Sequence, residues 1–158
     1  MTNLCCKVLD ALSGKTLATA ESCTGGGIGA ALTAVSGSSA VYKGGIISYT
    51  NQVKSKLLCV SDRDLERYGA VSAPIAAAMA EGARKVLEAD IAVSVTGLAG
   101  PGGDDYGNPV GTVYIAYADS KRTETKKFLF TGSREAVRQK AIQETLLLIL
   151  QYNDSKSL

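Results

Sequence analysis

The chain has 158 residues, 46% of them hydrophobic and 20% charged, with a formal net charge of +2. That composition belongs to one globular domain with a real core and excludes a disordered chain. A charge so near zero argues against nucleic acid as the main partner, while the slight basic bias suits a small anionic ligand.

The first predicted element is a short helix over Asn3 to Ser13, ended by Gly14. A strand follows over Lys15 to Glu21, with Leu17, Ala18 and Ala20 suited to burial, then a helix of small residues over Gly25 to Val35. Ser36 to Ser39 reads as a turn and Val41 to Tyr49 as the region of a second strand. Asn51 to Leu58 is predicted helical with Asn51 as N-cap, and Asp62 to Tyr68 is a second short helix. Ala73 to Leu87 is an amphipathic helix with Pro74 in its first turn. The apolar run Asp90 to Thr96 reads as a strand covered on both faces. A Gly/Pro/Asp-rich loop covers Leu98 to Pro109, with Asp104, Asp105 and Tyr106 as a solvated tip. Gly111 to Ala118 and Thr123 to Phe130 form a predicted hairpin across Asp119 and Ser120. A long helix over Ser133 to Gln151, capped by Ser133, closes the chain, and the last few residues are expected to fray. Strands and helices that alternate and then give way to two successive strands indicate one domain over residues 1–158. Its expected form is a three-layer α/β/α fold on a mixed sheet.

The chain has no histidine, so a nucleophilic serine or cysteine cannot use imidazole as its base. Lysine, carboxylate or tyrosine must serve. Thr19-Ala20-Glu21-Ser22-Cys23-Thr24-Gly25-Gly26-Gly27 places a hydroxyl and a thiol beside a carboxylate at a strand-to-helix turn. Glycines and a helix N-terminus there suit an anion or a developing oxyanion, and equally a tight turn in which Ser22 or Thr24 caps the helix. Successive side chains of an extended segment face opposite ways, so Ser22 and Cys23 are not both expected to face a pocket. Lys54 follows Tyr49 through Val53 at a strand end and acts as a base only if burial or a nearby cation lowers its pKa. Thr96-Gly97-Leu98-Ala99-Gly100-Pro101-Gly102-Gly103 lies after the most apolar strand, where ligands bind in open α/β sheets. Its spacing matches neither a dinucleotide fingerprint nor a P-loop. Arg134 and Arg138 share a helix face and can hold a phosphate or simply solvate the surface.

Four cysteines without a CxxC pair, in a chain without histidine, give no expectation of a metal or other cofactor. No apolar run reaches membrane-spanning length and no basic-then-apolar leader is apparent. The expectation is a cytoplasmic protein with reduced thiols and no membrane partner.

In order and spacing the chain resembles the CinA C-terminal domain family, whose stand-alone members include PncC-type nicotinamide-nucleotide amidohydrolases. The resemblance rests on Ala20 through Gly26, Gly37-Ser38-Ser39-Ala40, Tyr49-Thr50-Asn51 with Lys54, and Gly69-Ala70-Val71-Ser72. It continues through Thr96 to Gly103, Pro109 to Val113, and Gly132 to Arg138. It implies hydrolysis of the carboxamide of nicotinamide mononucleotide (NMN) to nicotinate mononucleotide and ammonia, with Ser22 as nucleophile and Lys54 as general base. It further implies a substrate site of Glu21, Thr24, Gly25, Gly26, Tyr49, Thr96 and Gly97 with Arg134 or Arg138, an oxyanion held by backbone amides near Thr24 to Gly26, and self-association into a homo-oligomer. The amino-terminal domain of full-length members is not expected. Two alternatives stand beside this reading: a Cys23-based amidase, and a non-catalytic nucleotide- or protein-binding module of the kind associated with competence and DNA damage.

Overall fold

The computed structural model describes residues 1–154. The order of elements is α1 (Thr2–Ala11), β1 (Leu17–Glu21), α2 (Gly27–Thr33), a 3-10 turn (Ser38–Ala40), β2 (Tyr42–Ile47), α3 (Asn51–Leu58), α4 (Asp62–Tyr68), α5 (Ala73–Val86), β3 (Ile91–Gly97), β4 (Thr112–Ala118), β5 (Thr123–Leu129) and α6 (Arg134–Asp154). The five strands form one sheet in the order β2-β1-β3-β4-β5. β1 runs parallel to both β2 and β3, whereas β3, β4 and β5 pair antiparallel, so the sheet is mixed as expected.

Alternation along the central strands divides the core by residue size. Leu17, Ile91, Val93, Val95, Ile115 and Tyr117 bury against α1, α2 and α6 on one face. Ala18, Ala20 and Ala92 meet Leu58, Leu65, Ile75 and Met79 of α3, α4 and α5 on the other. Further alanines, Ala76 and Ala80 of α5 against Ala116 and Ala118 of β4, let α5 lie close on the sheet. Gly82 serves the same end: a Cβ there would collide with the backbone carbonyl of Leu58, so glycine permits α5 to pass the end of α3.

The predicted boundaries shift where local chemistry differs from periodicity. Helix α2 begins at Gly27 rather than Gly25, because Gly25 and Gly26 take positive φ of 59° and 94° and belong to the preceding turn. The cap of α3 is Thr50, whose Oγ1 accepts from the Val53 amide, and Asn51 is the first helical residue. Ser133 caps α6 as expected, its Oγ accepting from Ala136 N. The β4–β5 hairpin forms with a four-residue loop, Asp119 to Arg122, in which the Asp119 carboxylate accepts from the Lys121 and Arg122 amides. Helix α6 extends past Gln151 to Asp154, and the fraying expected beyond it falls outside the described residues. The tip of the glycine-rich loop is not loosely solvated. Asp104 accepts from the Tyr106 and Asn108 amides, Tyr106 Oη donates to the Glu66 carbonyl of α4, and Asn108 Nδ2 donates to Val71 O.

Candidate active site

The parallel strands β1, β2 and β3 end at one edge of the sheet. From β1 the chain passes through α2 to β2 on one side, and from β2 it returns through α3 to α5 to β3 on the other. Connections that diverge in this way open a crevice at the carboxy ends of the strands. A cavity of about 350 Å³ lies there, lined by Ser22 and Cys23 after β1, Tyr49, Asn51 and Lys54 after β2, Ala70 and Val71 before α5, Thr96 and Gly97 at the end of β3, Leu98 to Gly100 and Gly102 beyond it, and Arg134 from α6.

At its floor, Lys54 Nζ lies 3.1 Å from Ser22 Oγ and donates to the Ser48 carbonyl at 2.6 Å. Lys54 is only 1% exposed. Burial disfavours its charged form and draws the pKa from 10.5 down to about 8. Ser48 is in turn fixed to β1, its amide donating to Glu21 O. The sequence offered no reason to select Ser48, because its part is played by a backbone carbonyl that any residue would carry. A serine oxygen within hydrogen-bond reach of a buried lysine that titrates near neutrality has the geometry of a nucleophile with its base.

The turn after β1 bends sharply, with the Ser22 amide donating to Val95 O of β3 and the Gly25 amide to Ser22 O. Because residues 22–25 turn rather than extend, Ser22 and Cys23 both line the cavity, contrary to the alternation argument. Their chemistry differs. Burial raises the Cys23 thiol from 9.0 to about 11, so it stays protonated at neutral pH and is poorly suited to attack.

Several residues expected to touch substrate are used to build the turn instead. The buried Glu21 carboxylate accepts from Thr24 Oγ1 and from the amides of Gly26, Ile28 and Gly29. It therefore caps α2 and faces away from the Ser22 cavity. Thr24 is fully buried, and neither Thr24, Gly25 nor Gly26 lines that cavity. The Gly25 and Gly26 amides, expected to hold an oxyanion, are occupied by Ser22 O and Glu21. Among the described residues, no other residue accepts from the amides of Cys23 or Thr24.

The two arginines separate. Arg134 lies at the cavity mouth, where Nη1 donates to Gly100 O at 2.6 Å and Nη2 to Tyr49 Oη at 3.0 Å. Arg138 lies outside the cavity lining and donates through Nε to Cys23 O and through Nη2 to Thr24 O, each at 3.1 Å. The pair does not form a joint clamp. Thr96 and Gly97 line the cavity as expected, and the Thr96 hydroxyl also donates to Ala70 O, tying the segment before α5 to β3. Asn51, predicted as a cap, lines the cavity instead. All four cysteines are free, and no cluster of three or more potential metal ligands occurs among the described residues. No helix among them is long and apolar enough to cross a membrane.

The fold and this crevice define a single-domain α/β protein with a serine–lysine pair at the carboxy edge of a mixed sheet. The chain belongs to the CinA family: the CinA C-terminal domain model matches residues 2–153. It is 52% identical to a CinA-like protein of Parasynechococcus marenigrum over 85% of this chain and 32% of that protein. It is 46% identical to a putative competence-damage inducible protein of Acetivibrio thermocellus over 87% of this chain and 33% of that protein. The chain thus spans about a third of the length of the curated relatives it matches. Among solved structures, a CinA superfamily protein from Escherichia coli superposes with a TM-score of 0.94 at 38% identity, covering 96% of this chain and 89% of that one. Another, from Klebsiella pneumoniae, gives 0.95 at 35% identity and covers 98% of both chains.

Proposed function

We propose that this protein is an amidase acting on the carboxamide of NMN, releasing ammonia and nicotinate mononucleotide. The observation that carries the reading is the 3.1 Å approach of a buried lysine, titrating at about 8, to the oxygen of Ser22. In the neutral form the Lys54 lone pair accepts the Ser22 hydroxyl proton while one N–H remains on Ser48 O. Ser22 Oγ then attacks the carboxamide carbon, and the carbonyl becomes an oxyanion held by the amide of Cys23. Protonated Lys54 returns its proton to the departing nitrogen, and ammonia leaves an acyl-enzyme. Water, deprotonated by the now neutral Lys54, cleaves that ester and restores Ser22.

A cavity of about 350 Å³ suits a mononucleotide. Arg134, at its mouth beside the exposed Tyr49, is the cation available to the single phosphate. The reading is tested by ammonia release from NMN by the purified protein, beside Ser22→Ala and with a chelator present. Release that survives chelation and disappears in Ser22→Ala supports it. A folded protein that binds NMN without releasing ammonia would instead be a nucleotide-binding module.

A further inference from the structure

Arg138 makes no contact with the cavity, yet both of its bonds fall on the turn that carries the nucleophile. In a trans peptide the carbonyl and the following amide N–H point in opposite directions, so whatever fixes one aims the other. Arg138 Nε holds the Cys23 carbonyl and thereby directs the Thr24 N–H away from itself. Its Nη2 holds the Thr24 carbonyl and so directs the Gly25 N–H, which donates to Ser22 O at 3.0 Å. Ser22 O, held in that bond, sets the opposite direction of the Cys23 N–H beside the cavity. One guanidinium spanning two successive carbonyls therefore fixes the peptides that set the direction of the Cys23 N–H, an amide of a cavity-lining residue that no other described residue accepts from. A cation on the Thr24 carbonyl also polarises the run from Gly25 N–H through Ser22 O to Cys23 N–H and strengthens that last group as a donor.

Building on the amidase reading above, we infer that Arg138 is a positioning residue that aims and polarises the oxyanion-binding amide of Cys23, rather than a substrate-binding residue. A lysine cannot reproduce it, because an ammonium is a point donor and cannot span both carbonyls in a fixed plane. Loss of one oxyanion donor costs about a hundredfold or more in kcat, so misaiming the turn should cost about 10- to 100-fold.

The test compares wild type, Arg138→Lys, Arg138→Ala and, as a control on the same helix, Lys140→Met, whose wild-type ammonium donates to Thr131 O. Two readouts are taken: ammonia release from NMN, and the rate at which a fluorophosphonate labels Ser22. In the latter, Oγ bonds to phosphorus, fluoride leaves and Lys54 takes the proton. The expected result is a fall of at least tenfold in kcat and in labelling rate for both Arg138 variants. KM should stay within about threefold, with partial recovery of Arg138→Ala on adding guanidinium chloride at low millimolar concentration and no change in Lys140→Met. A folded Arg138→Lys that labels and turns over like wild type, or that loses only KM, overturns the inference while leaving the amidase reading in place. Wild type that labels at Ser22 but releases no ammonia from NMN, with labelling still lost in the Arg138 variants, overturns the NMN reading alone. Wild type inert to both reagents overturns both.

Discussion

Activity should rise with pH through the titration of Lys54 and level off above it. A lysine in water titrates at 10.5, and burial brings Lys54 to about 8. At pH 7 roughly one Lys54 in ten is then neutral, against about three in ten thousand for an unshifted lysine, a gain of about 300-fold in available base. In kcat/KM for ammonia release, measured from pH 6 to 9, this predicts a climb of about tenfold per pH unit well below 8 and a plateau above. The same shift acts on stability with a definite sign. Unfolded chains hold the Lys54 proton up to 10.5 and the folded chain releases it near 8. Burial therefore costs stability, about 3 kcal/mol in full, at every pH below 8, and the cost is relieved as pH rises from 8 toward 10.5. Cys23 opposes this from pH 9 upward, because its thiol ionises at 9.0 when unfolded but only near 11 when buried, so stability is lost across that interval. Between pH 8 and 9 the urea midpoint should accordingly rise in wild type and stay level in Lys54→Met. A rate profile that is flat from pH 6 to 9, in a protein whose activity still requires Ser22, would refute Lys54 as the base.

Glu21→Gln should be destabilising by about 2–4 kcal/mol in urea unfolding, because a carboxamide nitrogen cannot accept the buried hydroxyl and amide protons that the carboxylate now takes; an unchanged midpoint would mean the cap contributes nothing. Cys23→Ala should keep most of the amidase activity, and maleimide at neutral pH should modify the exposed Cys59 well before Cys23. Loss of activity on the scale of Ser22→Ala would point to the thiol as nucleophile. Gly82→Ala drives a methyl into the Leu58 carbonyl, so it should cost about 1–3 kcal/mol and lower kcat by displacing α3, which carries Lys54. A variant with wild-type stability would show that α5 has room to move.

Most of the fold can be read from the chain because hydrophobic periodicity and breakers act locally. The apolar run through Val93 and Val95 is a strand buried on both faces, and the Ser61 to Tyr68 stretch carries its own cap and becomes α4 within its predicted bounds. Ser22 and Lys54 were selectable for a chemical reason, since the absence of histidine leaves few bases for a hydroxyl beside a glycine-rich turn, and the family resemblance singles out the pair. The glycine spacings from Gly97 to Gly103 likewise rule out a dinucleotide fingerprint.

What only the tertiary structure decided is which groups face the cavity and which hold it in shape. Glu21, Thr24, Gly25 and Gly26 are adjacent to the nucleophile in sequence and were expected at the substrate, but their polar atoms close the turn and cap α2. Arg134 and Arg138, one helical turn apart, diverge because one reaches Gly100 and Tyr49 across the crevice while the other reaches the back of the Ser22 turn. The lowered pKa of Lys54 depends on its burial in the folded crevice, and the Ser48 carbonyl that orients it lies just past the end of β2. Residue type sets what each group can do. Its surroundings, assembled from segments as far apart as Ser22 and Arg138, set its charge and its partner, and those surroundings exist only once the chain is folded.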